Sequence, residues 1–152
     1  MFNRLALIGC GLMGGSLALA MQRARLVRHV VAYSPSESTL QAALQAGVIH
    51  EAAHSPADAT AHADLVVVAV PVAATETVLR SIASSLSAQT IVMDVGSTKQ
   101  NVIEAAEATL GSHIGQFVPA HPIAGKEVAG IAPADPDLYR GKQVILTPRR
   151  AT

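Results

Sequence analysis

Short runs of apolar residues alternate along this chain with longer segments in which apolar positions recur every three or four residues. Residues 64–70, reading DLVVVAV, are typical of a strand covered on both faces, because the run is continuously apolar after its first residue. The pattern predicts strands at residues 4–8, 29–33, 64–70, 90–95, 116–120 and 142–147, with a short extended piece at 48–49. It predicts helices from the first glycine cluster to about residue 24, then at 37–46, 74–86 and 98–110, and one or two helical turns around 55–62.

This alternation of strands and helices predicts an α/β fold, in which right-handed crossovers build a doubly wound, mostly parallel sheet of the Rossmann type. The chain has 152 residues, a usual size for one domain, so we predict a single domain over residues 1–152. Its core must consist of Ala, Val, Leu and Ile, because the sequence has two Phe, two Tyr and no Trp. Ligands of such sheets bind beyond the carboxyl ends of the strands, so the site is expected there.

Glycines at positions 9, 11 and 14 follow the first predicted strand in the spacing G-x-G-x-x-G. In a dinucleotide-binding turn the first glycine permits the sharp bend, the second lets the backbone approach the pyrophosphate, and the third lets helix and strand pack closely. A tight turn without a ligand is the simpler alternative, but the strand before it and the helix after it favour dinucleotide binding. The cofactor contacts predicted here and at the other strand ends are Gly9, Gly11, Leu12, Met13, Gly14, Ser34, Ser36, Val70, Pro71 and Gly96.

Charge and hydropathy exclude several other classes of protein. Lys and Arg together number 11, as do Asp and Glu, so no net field attracts nucleic acid or an anionic membrane surface. We find neither a continuous apolar stretch of membrane-spanning length nor a leader segment in the sequence. We therefore predict a cytoplasmic protein with neither a membrane nor a nucleic-acid partner.

The sequence also argues against disulfide and metal chemistry. The single cysteine, Cys10, excludes an internal disulfide, and packing in the glycine turn needs only a small side chain there. His54, Asp58 and His62 recur at helical spacing, but such a set is more often a solvated face than a metal site. We predict no bound metal.

Two motifs at later strand ends carry most of the candidate chemistry. Residues 94–99 read DVGSTK and residues 121–125 read HPIAG. Together with the glycine turn and residues 68–71 (VAVP), they resemble the prephenate and arogenate dehydrogenases of tyrosine biosynthesis, in the same order and over essentially the whole chain. The resemblance implies oxidation of prephenate with a nicotinamide cofactor, with loss of carbon dioxide and formation of 4-hydroxyphenylpyruvate, or conversion of arogenate to tyrosine.

The same resemblance implies roles for particular side chains. His121 is expected to be catalytic, Ser97 to hydrogen-bond with it at the substrate hydroxyl, and Glu127 to lie near the substrate pocket. Apart from the resemblance, Lys99 and Gly125 are further candidate substrate contacts, Lys99 as a charge near a substrate carboxylate. Hydride leaves the carbon that bears the hydroxyl, so a base must take the hydroxyl proton as the carbonyl forms. A neutral histidine suits that task, because its reference pKa of about 6.5 lies near the working pH. A serine hydroxyl can both donate and accept.

Each of these residues has a structural alternative. A histidine before proline is often a turn residue. Ser97, followed by Thr98, is also a suitable N-cap for the next helix. Lys99 and Glu127 are both compatible with solvated side chains that touch no ligand.

The end of the second predicted strand bears on the choice of cofactor. Domains that prefer NAD place Asp or Glu there to hold the ribose 2′-hydroxyl, whereas this chain has Ser34, with Ser36 close by. Serine removes a carboxylate that would repel a 2′-phosphate, although no Arg or Lys follows in the turn. We expect NADP as the cofactor, with NAD tolerated.

Members of the family that the sequence resembles continue into a helical domain, which forms a homodimer and closes the substrate site. We therefore expect the chain to be the N-terminal part of a longer protein and, alone, to be catalytically incomplete; the alternative is a stand-alone domain whose substrate site comes from elsewhere. Two other functions stay open at this point. The glycine motif also resembles that of the β-hydroxyacid dehydrogenases, which use a lysine on a later helix and do not require HPIAG. A non-catalytic dinucleotide-binding module would bind cofactor without turnover.

Overall fold

The structure is a computed structural model that describes residues 1–148, and the last four residues of the predicted domain lie outside this range. Its strands are β1 (Phe2–Ile8), β2 (Val27–Tyr33), β3 (Glu51–Ala52), β4 (Leu65–Val68), β5 (Ile91–Asp94), β6 (Phe117–Val118), β7 (Ala120–Pro122) and β8 (Val144–Leu146). Its α-helices are α1 (Leu12–Arg23), α2 (Glu37–Gln45), α3 (Pro56–Thr60), α4 (Val72–Ile82) and α5 (Lys99–Thr109). Segments of 3-10 helix follow α4 at Ala83–Ser85 and α5 at Gly111–Gln116.

The main sheet has six strands in the order β3-β2-β1-β4-β5-β6, and all of its neighbouring strands are parallel. This confirms the predicted α/β fold with a doubly wound sheet of the Rossmann type. The chain leaves β1 toward β2 on one side and returns to place β4 on its other side. The order of the strands therefore reverses between β1 and β4, which is where sheets of this kind bind ligands.

Alternate residues of β1 enter two separate apolar clusters, one on each face of the sheet. Leu5 and Leu7 pack with residues of α1 and α2, whereas Ala6 and Ile8 pack with residues of α3, α4 and α5. All four side chains are at most 1% exposed. Burial on both faces is the reason that the central strands are continuously apolar rather than alternating. No helix within residues 1–148 has the length and apolarity needed to cross a membrane.

Side chains cap α2 and α3 where the sequence changes from strand to helix. The Ser36 hydroxyl accepts a hydrogen bond from the Thr39 N–H at 3.3 Å, and the Ser55 hydroxyl accepts one from the Asp58 N–H at 3.0 Å. Caps of this kind typically contribute about 1 kcal/mol to helix stability. Their positions explain why α2 and α3 begin at residues 37 and 56.

The predicted strand at residues 116–120 is wrong as a single element, because the chain changes partners at Pro119. Phe117 and Val118 pair with β5, whereas β7 leaves the parallel sheet and pairs antiparallel with β8. Proline has no N–H to continue the parallel ladder. Its carbonyl instead accepts a hydrogen bond from the Thr147 N–H at 3.0 Å. The last predicted strand, residues 142–147, thus builds a two-stranded sheet with β7.

The short extended piece predicted at residues 48–49 is also displaced. Val48 and Ile49 are buried in the turn that follows α2, and the strand pairing with β2 begins at Glu51. Both residues are apolar because they cover the core. The apolar character of Val48 and Ile49 therefore results from burial and does not indicate a strand.

Candidate active site

The glycine turn between β1 and α1 is held in close contact with the end of β4. Gly9 has a φ of +94°, and a Cβ atom there would lie 2.3 Å from the Ala69 carbonyl oxygen. A Cβ atom at Gly14 would lie 2.6 Å from the Gly9 carbonyl oxygen. Both positions therefore require glycine for the packing of the chain itself, as predicted for the bend and for the helix–strand contact.

Gly11 is different, because nothing within the chain requires a glycine there. Its backbone is extended, and a Cβ atom at this position would meet no heavy atom within 4 Å. Gly11 is the N-cap of α1, and no side chain caps this helix end. Backbone N–H groups at a helix N-terminus bind anions, and the helix dipole favours negative charge there. The turn thus fits a pyrophosphate, which would approach over Gly11.

The different surroundings of Gly9 and Gly11 give a first prediction. Gly11→Val should destabilise the protein by no more than about 1 kcal/mol, the usual cost of a poor N-cap. It should weaken cofactor binding about ten-fold or more, which corresponds to about 1.4 kcal/mol, because the side chain fills the approach of the pyrophosphate. Gly9→Ala should instead destabilise the protein by about 2 kcal/mol or more, because it places a side chain at positive φ against a carbonyl. Thermal unfolding and calorimetric titration with NAD and NADP measure both effects. Equal destabilisation by the two variants would contradict this assignment.

A cleft of about 400 Å³ opens beyond the carboxyl ends of β1, β2 and β4. The predicted cofactor contacts that line it are Gly9, Gly11, Ser34, Val70 and Pro71. The other lining residues are Ile8, Cys10, Tyr33, Pro35, Thr39, Ala69, Ala74, Val78 and Gly130. A mostly apolar lining with a few placed polar groups is usual for a cofactor site.

The other predicted cofactor contacts lie outside the lining of this cleft. Leu12 and Gly14 are buried in the first turn of α1, and the Met13 carbonyl accepts a hydrogen bond from a tyrosine described below. Ser36 caps α2, and the Gly96 N–H donates to a neighbouring carboxylate. The first three belong to the N-terminal turn of α1, so their backbone contact with an anion stays a prediction.

Among the lining residues that sequence reasoning did not predict, Thr39 and Gly130 differ in whether the sequence carried a signal for them. Thr39 carried a signal, because it lies one helical turn after Ser36, and its hydroxyl donates to the Ser36 hydroxyl at 3.0 Å. Gly130 carried none, because its approach to the glycine turn depends on the path of a distant loop. The polar groups at the end of β2 are completed by Ser34, whose hydroxyl accepts from the Ser36 N–H at 3.2 Å.

Cys10 lines the cleft, but its side chain is directed into the apolar cluster beneath it and is buried. Burial raises the pKa of the Cys10 thiol to about 11. The thiolate is the reactive form of cysteine, so this thiol is unreactive at neutral pH. The structure therefore supports packing as the role of Cys10.

A segment comprising residues 130–140, the crossing segment, lies over the first turns of α1. The Tyr139 hydroxyl donates to the Met13 carbonyl at 2.7 Å, and the Asp135 N–H donates to the Ser16 hydroxyl at 2.9 Å. Burial raises the pKa of Tyr139 to about 12, so its hydroxyl remains a donor at physiological pH. These two bonds fix the crossing segment, and Gly130 with it, against the cofactor cleft.

His121 lies within β7 and not after a strand as the sequence predicted. It is half-buried and is paired with Ile145 of β8. An open cavity of about 470 Å³ is lined by His121, Pro122, Ile123, Ala124, Gly125 and Lys142. Lys142 was missed from the sequence because only the antiparallel pairing of β7 with β8 brings it to the cavity that His121 lines.

Of the predicted substrate contacts, Gly125 lines this cavity and Glu127 lies outside its lining. Glu127 is exposed on the loop that follows. The neighbouring Lys126 forms an exposed ion pair with Asp135 at 2.9 Å. A substrate role for Glu127 stays a prediction.

The alternative role of Ser97 as an N-cap is wrong. The N-cap of α5 is Thr98, and no side chain caps this helix. Ser97 is exposed in the turn between β5 and α5. Its hydroxyl is placed in solvent at the carboxyl end of β5, on the same edge of the sheet as the cofactor cleft.

Lys99 is not a solvated side chain, and it has a carboxylate partner that the sequence analysis did not identify. Its Nζ forms an ion pair with Asp94 Oδ2 and donates a hydrogen bond to the Ala120 carbonyl at 2.7 Å. The Lys99 side chain is 14% exposed and that of Asp94 is 3% exposed. The signal was present in the sequence, since Asp94 ends a strand and lies five positions before the lysine.

The described part of the chain contains no group of three or more His, Cys, Asp or Glu side chains that could hold a metal ion. His54 and His62 are both exposed.

Comparison with known proteins agrees with this arrangement. The profile of the family described as "Prephenate dehydrogenase, nucleotide-binding domain" matches residues 17–152. The prephenate dehydrogenase of Bacillus subtilis (strain 168) is 37% identical to the chain, over 100% of this chain and 41% of that protein. The cyclohexadienyl dehydrogenase of Zymomonas mobilis is 35% identical, over 97% of this chain and 50% of that protein.

A solved structure has the same fold over nearly the whole chain. It is the crystal structure of the prephenate dehydrogenase from A. aeolicus in complex with hydroxyphenyl propionate and NAD+. The two structures match with a TM-score of 0.90 and 31% sequence identity, over 99% of this chain and 52% of the A. aeolicus chain. The protein described here spans about half the length of these relatives, or less. Its fold, its motifs and these matches agree that the chain belongs to the prephenate dehydrogenase family and corresponds to the nucleotide-binding domain of that family.

Proposed function

We propose that this domain is the cofactor-binding part of an NAD(P)-dependent dehydrogenase that oxidatively decarboxylates prephenate to 4-hydroxyphenylpyruvate, or arogenate to tyrosine. The observation that carries the proposal is the position of His121. It lines an open cavity at the same edge of the sheet as the glycine cleft, and β7 is bonded to the end of β5. A base and a hydride acceptor can therefore face the same substrate carbon. The family of the chain supports the choice of substrate.

In this proposal His121 takes the proton of the substrate hydroxyl while Ser97 holds that hydroxyl in place. The nicotinamide supplies the acceptor for the hydride. Loss of the ring carboxylate then gives an aromatic ring, which makes the step thermodynamically favourable. The full-length protein contributes mainly alignment, and this domain supplies the base; complete alignment can lower the barrier by about 7 to 11 kcal/mol. Lys142, which lines the same cavity as His121, offers a cation for a substrate carboxylate.

We also propose NADP as the preferred cofactor, with NAD tolerated. The end of β2 presents hydroxyl groups at Ser34, Ser36 and Thr39, next to the N-terminus of α2. Hydroxyls and helix N-termini both bind phosphate oxygens. Ser34 and Thr39 line the cleft, while the acidic residue nearest in sequence, Glu37, is exposed and is not among the lining residues.

Ser34→Asp should reverse this preference. The new carboxylate can still accept from the Ser36 N–H, so the turn is retained, but it faces the ribose and repels a 2′-phosphate. The ratio of the NADP and NAD dissociation constants should move toward NAD by about ten-fold or more. The matched control is Ser55→Asp, which places the same charge at the N-cap of α3, outside the cleft. Equal ratios in the variant and wild type would exclude contact between Ser34 and the ribose.

The remainder of the full-length protein is proposed to close the substrate cavity and to form a homodimer, as the resemblance to the family implied. The surface next to the cavity supports this proposal, because strand β8 is exposed along its whole length. Exposed apolar side chains at Val144, Ile145 and Leu146 are suited to contact with further protein. Sedimentation of the full-length protein measures its oligomeric state.

Assays of the full-length protein test the proposal directly. Prephenate and arogenate are supplied separately with NAD and with NADP, and the reduced nicotinamide is measured by its absorbance. Turnover of either substrate with release of carbon dioxide supports the proposal. Cofactor binding without turnover of either substrate supports a non-catalytic dinucleotide-binding module, and turnover of a β-hydroxyacid alone supports the other enzyme class.

A further inference from the structure

Asp94 has more hydrogen-bonding partners than a residue that only ends a strand requires. Its carboxylate accepts from the Gly96 N–H at 2.9 Å and from the Ala120 N–H at 3.1 Å, and it forms the ion pair with Lys99. The side chain is 3% exposed, so these donors take the place of water. None of the predicted roles at this site involves Asp94.

The partners of Asp94 come from three parts of the site. Gly96 belongs to the turn that carries Ser97, Lys99 is the first residue of α5, and Ala120 is the residue directly before His121. Lys99 completes a ring of contacts, because its Nζ also donates to the Ala120 carbonyl at 2.7 Å. Both backbone groups of Ala120 are thus bonded to the side chains of one ion pair.

We propose that Asp94, paired with Lys99, is a positioning residue that fixes β7 against the turn after β5 and thereby holds His121 opposite Ser97. This inference rests on the function proposed above, because the ion pair is proposed to align His121 as the base. Pro119 ends the pairing of β6 with β5, so the Ala120 N–H is bonded to Asp94 in place of a β5 carbonyl.

Two features of the chain support a positioning role over a purely structural one. A buried ion pair gives little net stability compared with apolar residues of the same size, but it specifies one geometry. Gly96 is also adapted to the carboxylate, since a Cβ atom there would lie 3.1 Å from Asp94 Oδ2. The turn, the ion pair and β7 therefore have one mutually consistent arrangement.

The decisive variant is Asp94→Asn in the full-length protein. Asparagine has nearly the same shape as aspartate. Its side-chain NH₂ group, however, must face one of the N–H donors from which the carboxylate accepts, so that hydrogen bond is lost. We expect kcat to fall about ten-fold or more, while the KM of prephenate and the dissociation constant of the cofactor change by less than about three-fold. In a His121→Asn background the same substitution should lower kcat further by less than about two-fold, because Asp94 acts through His121.

Asp64→Asn is the matched control. Asp64 precedes β4 at the opposite edge of the sheet, where its carboxylate accepts from the backbone N–H groups of Asn3 and Arg4. This variant should keep the wild-type kcat. Wild-type kcat in Asp94→Asn, together with a strongly reduced kcat in His121→Asn, overturns the positioning role and leaves the proposed function intact. Wild-type kcat in His121→Asn overturns both.

Lys99→Gln provides a second test, which also applies if Asp94→Asn does not fold. Glutamine keeps an N–H donor near the Ala120 carbonyl and removes the charge. A lower kcat with an unchanged KM supports the positioning role. An unchanged kcat with a raised KM means that Lys99 binds the substrate directly, which was one of its two roles considered from the sequence, and overturns the proposal.

Discussion

His121→Asn in the full-length enzyme should lower kcat by about a hundred-fold or more and leave the dissociation constant of the cofactor unchanged. Asparagine retains hydrogen-bonding groups near the substrate hydroxyl, but it cannot accept the proton. The residue is half-buried in β7, and the backbone of its neighbour Ala120 is hydrogen-bonded to the side chains of Asp94 and Lys99. The change should therefore not disturb the fold. Steady-state kinetics over a range of prephenate concentrations, paired with cofactor titration, measure both quantities.

The matched control for this variant is His54→Asn, which makes the same change at an exposed position outside both cavities. It should have wild-type kinetics. If His121→Asn kept a near wild-type kcat and raised only the KM of prephenate, His121 would be a binding residue. The base of the proposed mechanism would then have to be another group.

The second large effect concerns the isolated chain. Residues 1–152 should fold and bind NADP or NAD, yet oxidise prephenate with a kcat/KM that is about a thousand-fold or more below that of the full-length protein. The cofactor cleft is built within the described part of the chain, by the glycine turn and the ends of β2 and β4. The cavity beside His121 is instead open, and exposed apolar residues of β8 lie next to it.

An open cavity lets the substrate tumble and admits water, so most of the rate gain from alignment is lost. Prephenate also carries two carboxylates, and the nearby Lys99 and Lys126 already have acidic partners. Calorimetric titration with cofactor and a sensitive assay of reduced nicotinamide on the same sample test both parts of the prediction. A rate near that of the full-length protein would mean that this domain has a self-sufficient active site.

Short sequence motifs predicted much of the candidate site, because the requirements they encode involve neighbouring residues. The glycine spacing predicted the bend and the helix–strand contact, and Gly9 and Gly14 occupy positions where a Cβ atom would collide. These requirements involve residues close in sequence or an adjacent strand, so sequence spacing encodes them. The predicted roles of His121 and Ser97 came from the family motifs and await the experiments above.

The polar contacts of the site were harder to predict. Lys99 had two possible roles in the sequence, and only the fold identified Asp94 and the Ala120 carbonyl as its partners. The side chain of a lysine is long enough to reach many groups, so its partner depends on which backbone lies nearby. Lys142 was missed for the same reason, because the pairing of β8 with β7 brings it to the cavity that His121 lines.

The sequence by itself determined the order of strands and helices, the parallel sheet and the position of the cofactor turn. Apolar periodicity and glycine spacing act over a few residues, and burial on both faces leaves a continuous apolar run that is legible without a structure. Tertiary structure alone decided how the chain departs from the sheet at Pro119, how the crossing segment reaches α1, and which groups surround His121. Those features depend on contacts between residues distant in sequence, whose geometry is set by the packing of the whole domain and leaves no periodic pattern in any one segment.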